Sequence, residues 1–311
     1  MKKRLSLFHQ NNSRQIFVLG SLNMDFVYSL DRIPEQGETY YSNSFMFNSG
    51  GKGSNQAVAC QNFGLNASLI GSVGNDLQAD ILLNDLLNYD VDISFIKRSH
   101  FPTGNAVILL TKGDNRIILN GGANHDHNLS HIAQALSDSK PNDYFLTQLE
   151  IPLEMVHQSL ILAKKKGLVT VLNPSPVQRL EESIFEYVDI LIMNEIEASQ
   201  LSNKLTKSTE IIPYFLSKGI QQVVITMGAK GVYYNDNQSI CHKASLKTKV
   251  VDTTAAGDTF SGALLAELSR KSTIHDAIQM AIFASTMTIE KEGAQKSMPT
   301  RQEVIHRFLV N

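Results

Sequence analysis

The stretch Asp252-Thr253-Thr254-Ala255-Ala256-Gly257-Asp258-Thr259-Phe260 sets small residues ahead of one carboxylate and a helix-like run, Phe260 to Leu268. A helix that opens this way points bare backbone N–H groups outward. Such a start suits phosphate or developing negative charge. Ala255, Ala256 and Gly257 form a candidate anion hole, small enough for a ligand to approach the backbone. Asp258 falls in the first helical turn beside it. A carboxylate next to bound phosphate is electrostatically awkward unless it has a task. Accepting a proton from an attacking hydroxyl is such a task. The structural alternative is an acid placed to complement the helix dipole.

Ser49-Gly50-Gly51-Lys52-Gly53-Ser54-Asn55-Gln56 precedes another helical run, Ala57 to Phe63. It is neither a Walker loop nor GxGxxG. Gly51 and Gly53 permit close approach, Lys52 offers a long cation, and Asn55 both donates and accepts hydrogen bonds. That suits a polyhydroxylated ligand better than a bare phosphate; a tight turn with Lys52 in solvent is the alternative. Near the N-terminus the apolar run Gln15 to Leu19 reads as a buried strand. Asn23 and Asp25 follow at its carboxyl end, where open α/β sheets place ligands. Alternate residues of an extended segment share a side, so both can reach one ligand. Plain turn chemistry also accounts for them.

The two glycine-bearing stretches, in this order, resemble the fingerprints of the carbohydrate and purine kinase family, often called the PfkB family, in its ribokinase branch. The resemblance runs from about Gln15 to the C-terminus. It implies a kinase domain over 15–311, with lid segments about 23–50 and 100–124, after a possible flexible extension over 1–14. It implies Mg·ATP-dependent phosphorylation of a sugar primary alcohol, with Asp258 as general base. D-ribose phosphorylated at its 5-hydroxyl is the preferred substrate, because both sugar-side motifs are retained. Deoxyribose, another sugar or a nucleoside is the alternative. A non-catalytic sugar or nucleotide sensor on the same scaffold is the alternative of a different class. A nicotinamide oxidoreductase is disfavoured, because no GxGxxG with a downstream ribose acid is evident.

Further positions match the family residue by residue. Glu150, at a strand end, is an acidic sugar contact by resemblance and a helix-start acid before Pro152 otherwise. Asn194-Glu195-Ile196-Glu197 resembles the Asn-x-x-Glu element. There Asn194 would meet phosphate, and Glu197 would organise Mg²⁺ through water, since Mg²⁺ retains its waters. An acidic first helical turn is the other reading. Thr226, Gly228 and Gly231 match a nucleotide-binding Thr-x-Gly-x-x-Gly, with Lys230 read as a solvated lysine. The monovalent-cation loop of the resemblance would place K⁺ among Asp252, Thr254, Thr288, Lys291, Gly293 and the Ser297 side chain. One departure concerns the base pocket: Ile282 stands where relatives often carry Asn or His, which leaves strict ATP preference open. His125, His127 and His131 lack zinc-site spacing and are read as structural or surface residues.

These residues need a scaffold, and the coarse pattern supplies one. Strand-like runs alternate with helical ones, most regularly from Tyr144 onward: Tyr144 to Leu149, Leu153 to Lys166, Val169 to Asn173, Ile190 to Met193, Val223 to Thr226. That alternation predicts an α/β fold with a mainly parallel sheet between helices. Asp76 to Tyr89 has helical spacing, with Ile81, Leu82, Leu86 and Leu87 on a broad face. Phe26 to Leu30 and Thr39 to Phe47 read as strands about a turn at Pro34 and Gly37. Gly104 to Leu110 with Arg116 to Leu119, around Gly113-Asp114-Asn115, reads as a hairpin. So does Val232 to Tyr234 with Ser239 to His242, around Asn235-Asp236-Asn237. The early strands break the α/β rhythm. The resemblance makes them a small β lid that excludes water and suppresses wasteful ATP hydrolysis. The whole is a three-layer α/β/α sandwich, with a homodimer through the lid as the expected assembly.

Composition agrees. The chain has 311 residues, 42% hydrophobic and 19% charged, ample for one large core. A formal net charge of -2 gives no general attraction to nucleic acid or anionic membranes. No run approaches a membrane span, and the basic N-terminus lacks an apolar signal core. Cys60 and Cys241 are far apart and form no CxxC, as expected of reduced thiols in a cytoplasmic protein.

Overall fold

A computed structural model describes residues 14–111, 114–237 and 239–310. The expected extension therefore lies, but for Arg14, outside the described residues. In chain order the strands are Gln15–Leu19 (β1), Asn23–Ser29 (β2), Ser44–Gly50 (β3), Asn66–Val73 (β4), Ile96–Arg98 (β5), Gly104–Thr111 (β6), Asp114–Asn120 (β7), Tyr144–Thr147 (β8), Val169–Leu172 (β9), Ile190–Asn194 (β10), Gln222–Thr226 (β11), Val232–Asp236 (β12) and Ser239–Lys243 (β13).

One sheet has the order β13-β12-β11-β10-β9-β8-β1-β4-β5. From β11 through β5 every neighbouring pair is parallel. The β12–β13 hairpin adds an antiparallel edge. Residues along each strand alternate between two cores, as a pleated strand requires. Ile16 and Val18 of β1 join one apolar cluster with Phe260, Leu264, Ile278 and Ala281. Phe17 and Leu19 join the other, with Val156, Leu160, Ile212 and Phe215. Helices Lys52–Asn62, Leu77–Asn88, Ala256–Ser269 and Ile274–Thr288 cover the first face; helices Leu129–Ala135, Leu153–Lys165 and Ser208–Leu216 cover the second. This is the expected three-layer sandwich.

The smaller sheet has the order β3-β2-β6-β7. Its boundaries differ from the sequence reading. β2 begins at Asn23 rather than Phe26, and β3 spans Ser44 to Gly50 rather than Thr39 to Phe47. Tertiary pairing overrides the low strand propensity of Asn, Asp and Gly: Asn23 pairs with Gly50 on one side and Gly104 on the other. Asn23 and Asp25 are thus small-sheet residues, with only Gly20, Ser21 and Leu22 between them and β1.

The helix expected over Ala57 to Phe63 starts earlier, at Lys52. Gly51 has φ +91°, and a Cβ there would meet Asn23 N and Ser21 O at 2.8 Å. Gly53 is pressed against Gly20 and Ser21 in the same way, at 2.5 to 2.7 Å. These glycines let the helix start approach the protein's own backbone and so dock it on the β1–β2 connection. Leu87 is 53% exposed and leaves the predicted face of its helix, where Ala79, Leu82 and Leu86 are buried at helical spacing. β8 ends at Thr147, freeing Gln148 to Glu150 to turn into the cleft, and β12 runs on through Asp236. The turn between β6 and β7 lies partly outside the described residues.

Candidate active site

The helix Ala256–Ser269 opens as the sequence predicts. Ala255 stands at its N-cap with φ 59°, and Asp258 lies in the first turn. Asp258 is 7% exposed, so it is buried behind the small residues in front of it. The first-turn N–H groups of Gly257 and Asp258 have no intrahelical acceptor. That of Ala256 donates to Thr253 O at 3.3 Å. A Cβ on Gly257 would meet nothing within 4 Å. The fold therefore leaves open space at the helix mouth.

The two glycine-bearing helices cross at Gly262, where an added Cβ would lie 2.4 Å from Ala59 Cβ. That close approach brings Asn55 and Gln56 against Asp258. Asn55 Nδ2 donates to Asp258 Oδ2 at 3.1 Å, and Gln56 Nε2 donates to Asp258 Oδ1 at 2.9 Å. Gln56 Nε2 also reaches Asn173 Oδ1 at 2.9 Å. Charge-assisted hydrogen bonds of this kind fix a carboxylate's orientation.

Glu150 meets the start of the other helix. Its Oε2 accepts from Ser21 Oγ at 2.5 Å, Lys52 N at 3.1 Å and Asn23 Nδ2 at 3.4 Å. Asn124 holds Asn23 from behind, donating to its Oδ1 at 2.7 Å and bonding both backbone groups of Leu22. Asp25 packs over Gly50, whose added Cβ would stand 2.1 Å from Asp25 Oδ2. Burial, then the charges of Glu150 and Asp258, push the Asp25 carboxyl up to about 7. Lys52 is not a solvated lysine. Burial disfavours its charge, but Asp258, Glu150 and Glu197 outweigh that and raise its pKa. Asn23, Asp25, Lys52, Asn55 and Glu150 are therefore brought together around the Asp258 carboxylate. Gly51 joins them as backbone, its Cβ direction already filled by protein.

On the other flank, Asn194 and Thr226 end neighbouring parallel strands and are register partners. Asn194 caps the helix Glu195–Leu201 in a capping box: its Oδ1 accepts from Glu197 N at 2.9 Å, and Glu197 Oε2 accepts from Asn194 N at 2.8 Å. The structural and functional readings of this element coexist, because Glu197 Oε1 makes no hydrogen bond among the described residues. A 5%-exposed carboxylate committed through one oxygen leaves the other able to meet a hydrated Mg²⁺. Gly228 has φ 53° in an open turn, whereas Gly231 passes over Lys243 O, 2.1 Å from its Cβ position. Lys230 pairs on the surface with Glu195 at 3.1 Å.

Asp252 joins the two segments expected to hold a monovalent cation. Its Oδ1 accepts from Thr254 N and Oγ1 at 2.8 and 2.6 Å, and its Oδ2 from Gly293 N at 3.0 Å. The Asp252 side chain is a clasp, which leaves backbone carbonyls as donors. Thr288 Oγ1 bonds Thr259 Oγ1 at 3.1 Å, and Ser297 Oγ donates to Ala294 O at 2.7 Å. Lys291 N bonds Thr288 O at 3.2 Å. An all-oxygen set of this kind fits a hard monovalent cation. Ile282 is 3% exposed within the core. Burial holds His127 neutral, its pKa down to about 4.

The sequence reading passed over Ser21, Gln56 and Gln295, which bond Glu150, Asp258 and Asn55, and over Gln148 and Asn173, which bond Gln56. Their only signal was position: Gln56 closes the Gly-Gly-Lys-Gly-Ser-Asn-Gln run, and Gln148 stands two residues before Glu150.

The chain is similar in sequence and fold to known proteins. A ribokinase of Staphylococcus aureus is 35% identical over 94% of this chain and 99% of its own length. The crystal structure of a ribokinase from Thermotoga maritima, 33% identical, superposes with a TM-score of 0.88 over 96% of this chain and all of that one. The structure of an Arabidopsis thaliana ribokinase complexed with ribose and ATP, 26% identical, gives 0.86 over 94% and 98%. The model of the pfkB family carbohydrate kinases matches residues 13–301. With one buried aspartate at an open helix mouth and its partners drawn from the glycine-rich helix beside it, the chain belongs to the pfkB family of carbohydrate kinases.

Proposed function

We propose that this kinase transfers the terminal phosphoryl group of ATP to the 5-hydroxyl of D-ribose, giving ribose 5-phosphate. One observation carries the reading: Asp258, buried at the mouth of a helix with free N–H groups, is gripped by two amides of the glycine-rich helix. Asn23, Asp25, Gly51, Lys52, Asn55 and Glu150 orient the sugar. Asp258 takes the alcohol proton as attack develops, and backbone N–H groups around Ala255, Ala256 and Gly257 stabilise charge on the transferring group. Asn194, Thr226, Gly228 and Gly231 hold the nucleotide phosphates.

Mg²⁺ carried with ATP supplies charge neutralisation, and Glu197 would hold it through water. K⁺ is the proposed activator, with the carbonyls of Asp252, Thr254, Thr288, Lys291 and Gly293 and the Ser297 hydroxyl as its donors. The Arabidopsis relative complexed with ribose and ATP supports the substrate choice.

The kinase domain is taken as 15–311, with the lid in about 23–50 and 100–124; all four small-sheet strands fall inside those segments. We propose a homodimer through this lid. Phe45, Phe47 and Ile118 on one face, and Met46, Ile117 and Leu119 on the other, are exposed, an unusual amount of bare apolar sheet for a monomer. A cytoplasmic setting completes the reading. Among the described residues no helix is long and apolar enough to cross a membrane, and both cysteines are free.

The deciding experiment is a panel of ribose, deoxyribose, other pentoses, hexoses and nucleosides with ATP, with the phosphorylated carbon of each product identified. D-ribose should give the highest kcat/KM, with the product at carbon 5. Faster turnover of another substrate, or phosphorylation at another carbon, overturns the assignment.

A further inference from the structure

Asp258 is where two lines of side-chain amides meet. Its Oδ1 accepts from Gln56 Nε2 at 2.9 Å, and Gln56 Oε1 accepts from Gln148 Nε2 at 2.6 Å. Its Oδ2 accepts from Asn55 Nδ2 at 3.1 Å, and Asn55 Oδ1 accepts from Gln295 Nε2 at 3.2 Å. All four amides are buried.

An ionised carboxylate only accepts hydrogen bonds. Each amide touching Asp258 must turn its NH2 group inward and its oxygen outward. The next amide must answer that oxygen with its own NH2. The direction therefore passes to both ends. There the last oxygens, Gln148 Oε1 and Gln295 Oε1, are buried without a hydrogen-bond partner among the described residues. Bare buried carbonyls are unfavourable. Turning Gln148 over would not remove the conflict, since it would set two amide oxygens face to face at Gln56. Gln148 Oε1 is seated against backbone, 2.1 Å from where a Cβ on Gly20 would stand. The two unpaired ends are the signature of a chain polarised from its centre.

We propose that Gln148 and Gln295 are positioning residues for the phosphoryl-transfer step. Neither touches Asp258. Each holds the intervening amide with its donor toward the carboxylate, so that Asp258 stays ionised and aimed. This rests on Asp258 being the general base. Lys52 and the Asp25 carboxyl also act on Asp258 through their charges; beside them Gln56 and Asn55 supply oriented dipoles, which stabilise the anion without competing for the substrate proton.

The test is the pH profile of sugar kcat/KM for Gln148→Met, Gln148→Glu and Gln295→Met. Methionine keeps the volume and removes the donor, which leaves Gln56 Oε1 unanswered and Asn173 Oδ1 alone holding the Gln56 amide toward Asp258. The acidic limb should move upward by on the order of one pH unit, the scale of a lost hydrogen bond to a charged group. The rate should fall about tenfold below the limb and little above it, with the sugar KM nearly unchanged. Gln148→Glu, acceptor only and nearly isosteric, should move the limb at least as far. If these variants melt near wild type but keep the limb in place, or slow equally at every pH, the amide lines are merely structural and the proposal fails. Should Gln148→Glu not fold, Gln148→Met and Gln295→Met decide alone. Asp258→Asn separates the two ideas. Normal turnover in that variant removes the base itself. A dead Asp258→Asn beside Gln148→Met and Gln295→Met proteins with unmoved limbs removes only the positioning role.

Discussion

Asn55 Nδ2 reaches Asp258 Oδ2 at 3.1 Å across 203 positions of sequence. The contact ties a residue expected to bind the sugar to the residue expected to deprotonate it. One helix carries each, and the two helices can come this close only because Gly262 lies against Ala59.

Asp258→Asn keeps the side-chain volume and removes the base. Turnover should fall by about 10²- to 10⁴-fold, while the sugar dissociation constant stays within a few-fold. Steady-state kinetics with calorimetric sugar binding checks both. Turnover near wild type would exclude Asp258 as the base.

Gly257→Ala separates ligand space from fold space. The added methyl meets no protein atom, and alanine is favoured over glycine in a helix by roughly 0.5–1 kcal/mol. The variant should melt no lower than wild type, yet lose at least tenfold in kcat/KM for ATP. A stable variant with unimpaired kinetics would remove the anion site from the helix mouth.

Gly262→Ala reverses that pattern. Its methyl would meet Ala59 Cβ at 2.4 Å and the backbone of Ala59 and Cys60 at 2.7 Å. Overpacking should cost about 1–3 kcal/mol despite the better helix propensity. Thermal melts should show the loss, and turnover should drop as Asn55 is displaced from Asp258.

Asp25 makes the unliganded protein's stability depend on pH. Unfolded, it ionises near 3.8; folded, it holds its proton up to about 7, chiefly through burial. Between those values the folded state binds more protons, so stability declines as pH rises. The contribution is whole below about 4 and gone above about 7. Asp25→Asn removes this charge cost. Its melting temperature should exceed that of wild type by a few degrees at pH 8, by less at pH 5, and converge with it only below about pH 4, while sugar affinity falls. A constant offset at both pH values would contradict the assignment.

Cation dependence tests the Asp252 clasp. Replacing K⁺ by a bulky organic cation should lower kcat several-fold at saturating Mg·ATP. Asp252→Ala, which frees Gly293 from the 252–254 segment, should weaken the K⁺ response more than sugar binding. Titrating K⁺ in both proteins measures this.

The sequence made the sheet rhythm legible because buried parallel strands are apolar runs bounded by turns. β1, β9, β10 and β11 fall within a residue of their expected places. The small sheet was less legible. Asn23, Asp25 and Gly50 are poor strand formers, and only pairing with distant Gly104 makes a strand of them. The residues expected to meet ligands were marked by type and spacing, as Asp258 and Glu150 were. Those that hold them were not: Gln148, Asn173 and Gln295 are ordinary amides until folding brings them together. Gly51 and Gly53 carried a clear signal of close approach, and the Cβ direction of each is filled by the chain's own backbone; such an approach leaves the same mark whether the neighbour is a ligand or another stretch of chain.

The three-residue span from Leu19 to Asn23 has a mechanical consequence. It is too short for slack, and it delivers the polypeptide from the rigid slab straight into the strand that bears two side chains proposed to recognise hydroxyls. Any hinging of the minor sheet must drag Asn23 and Asp25 along with it. On the proposed reading, recognition and enclosure then become one displacement, and an enzyme caught open has withdrawn both of these contacts from the sugar.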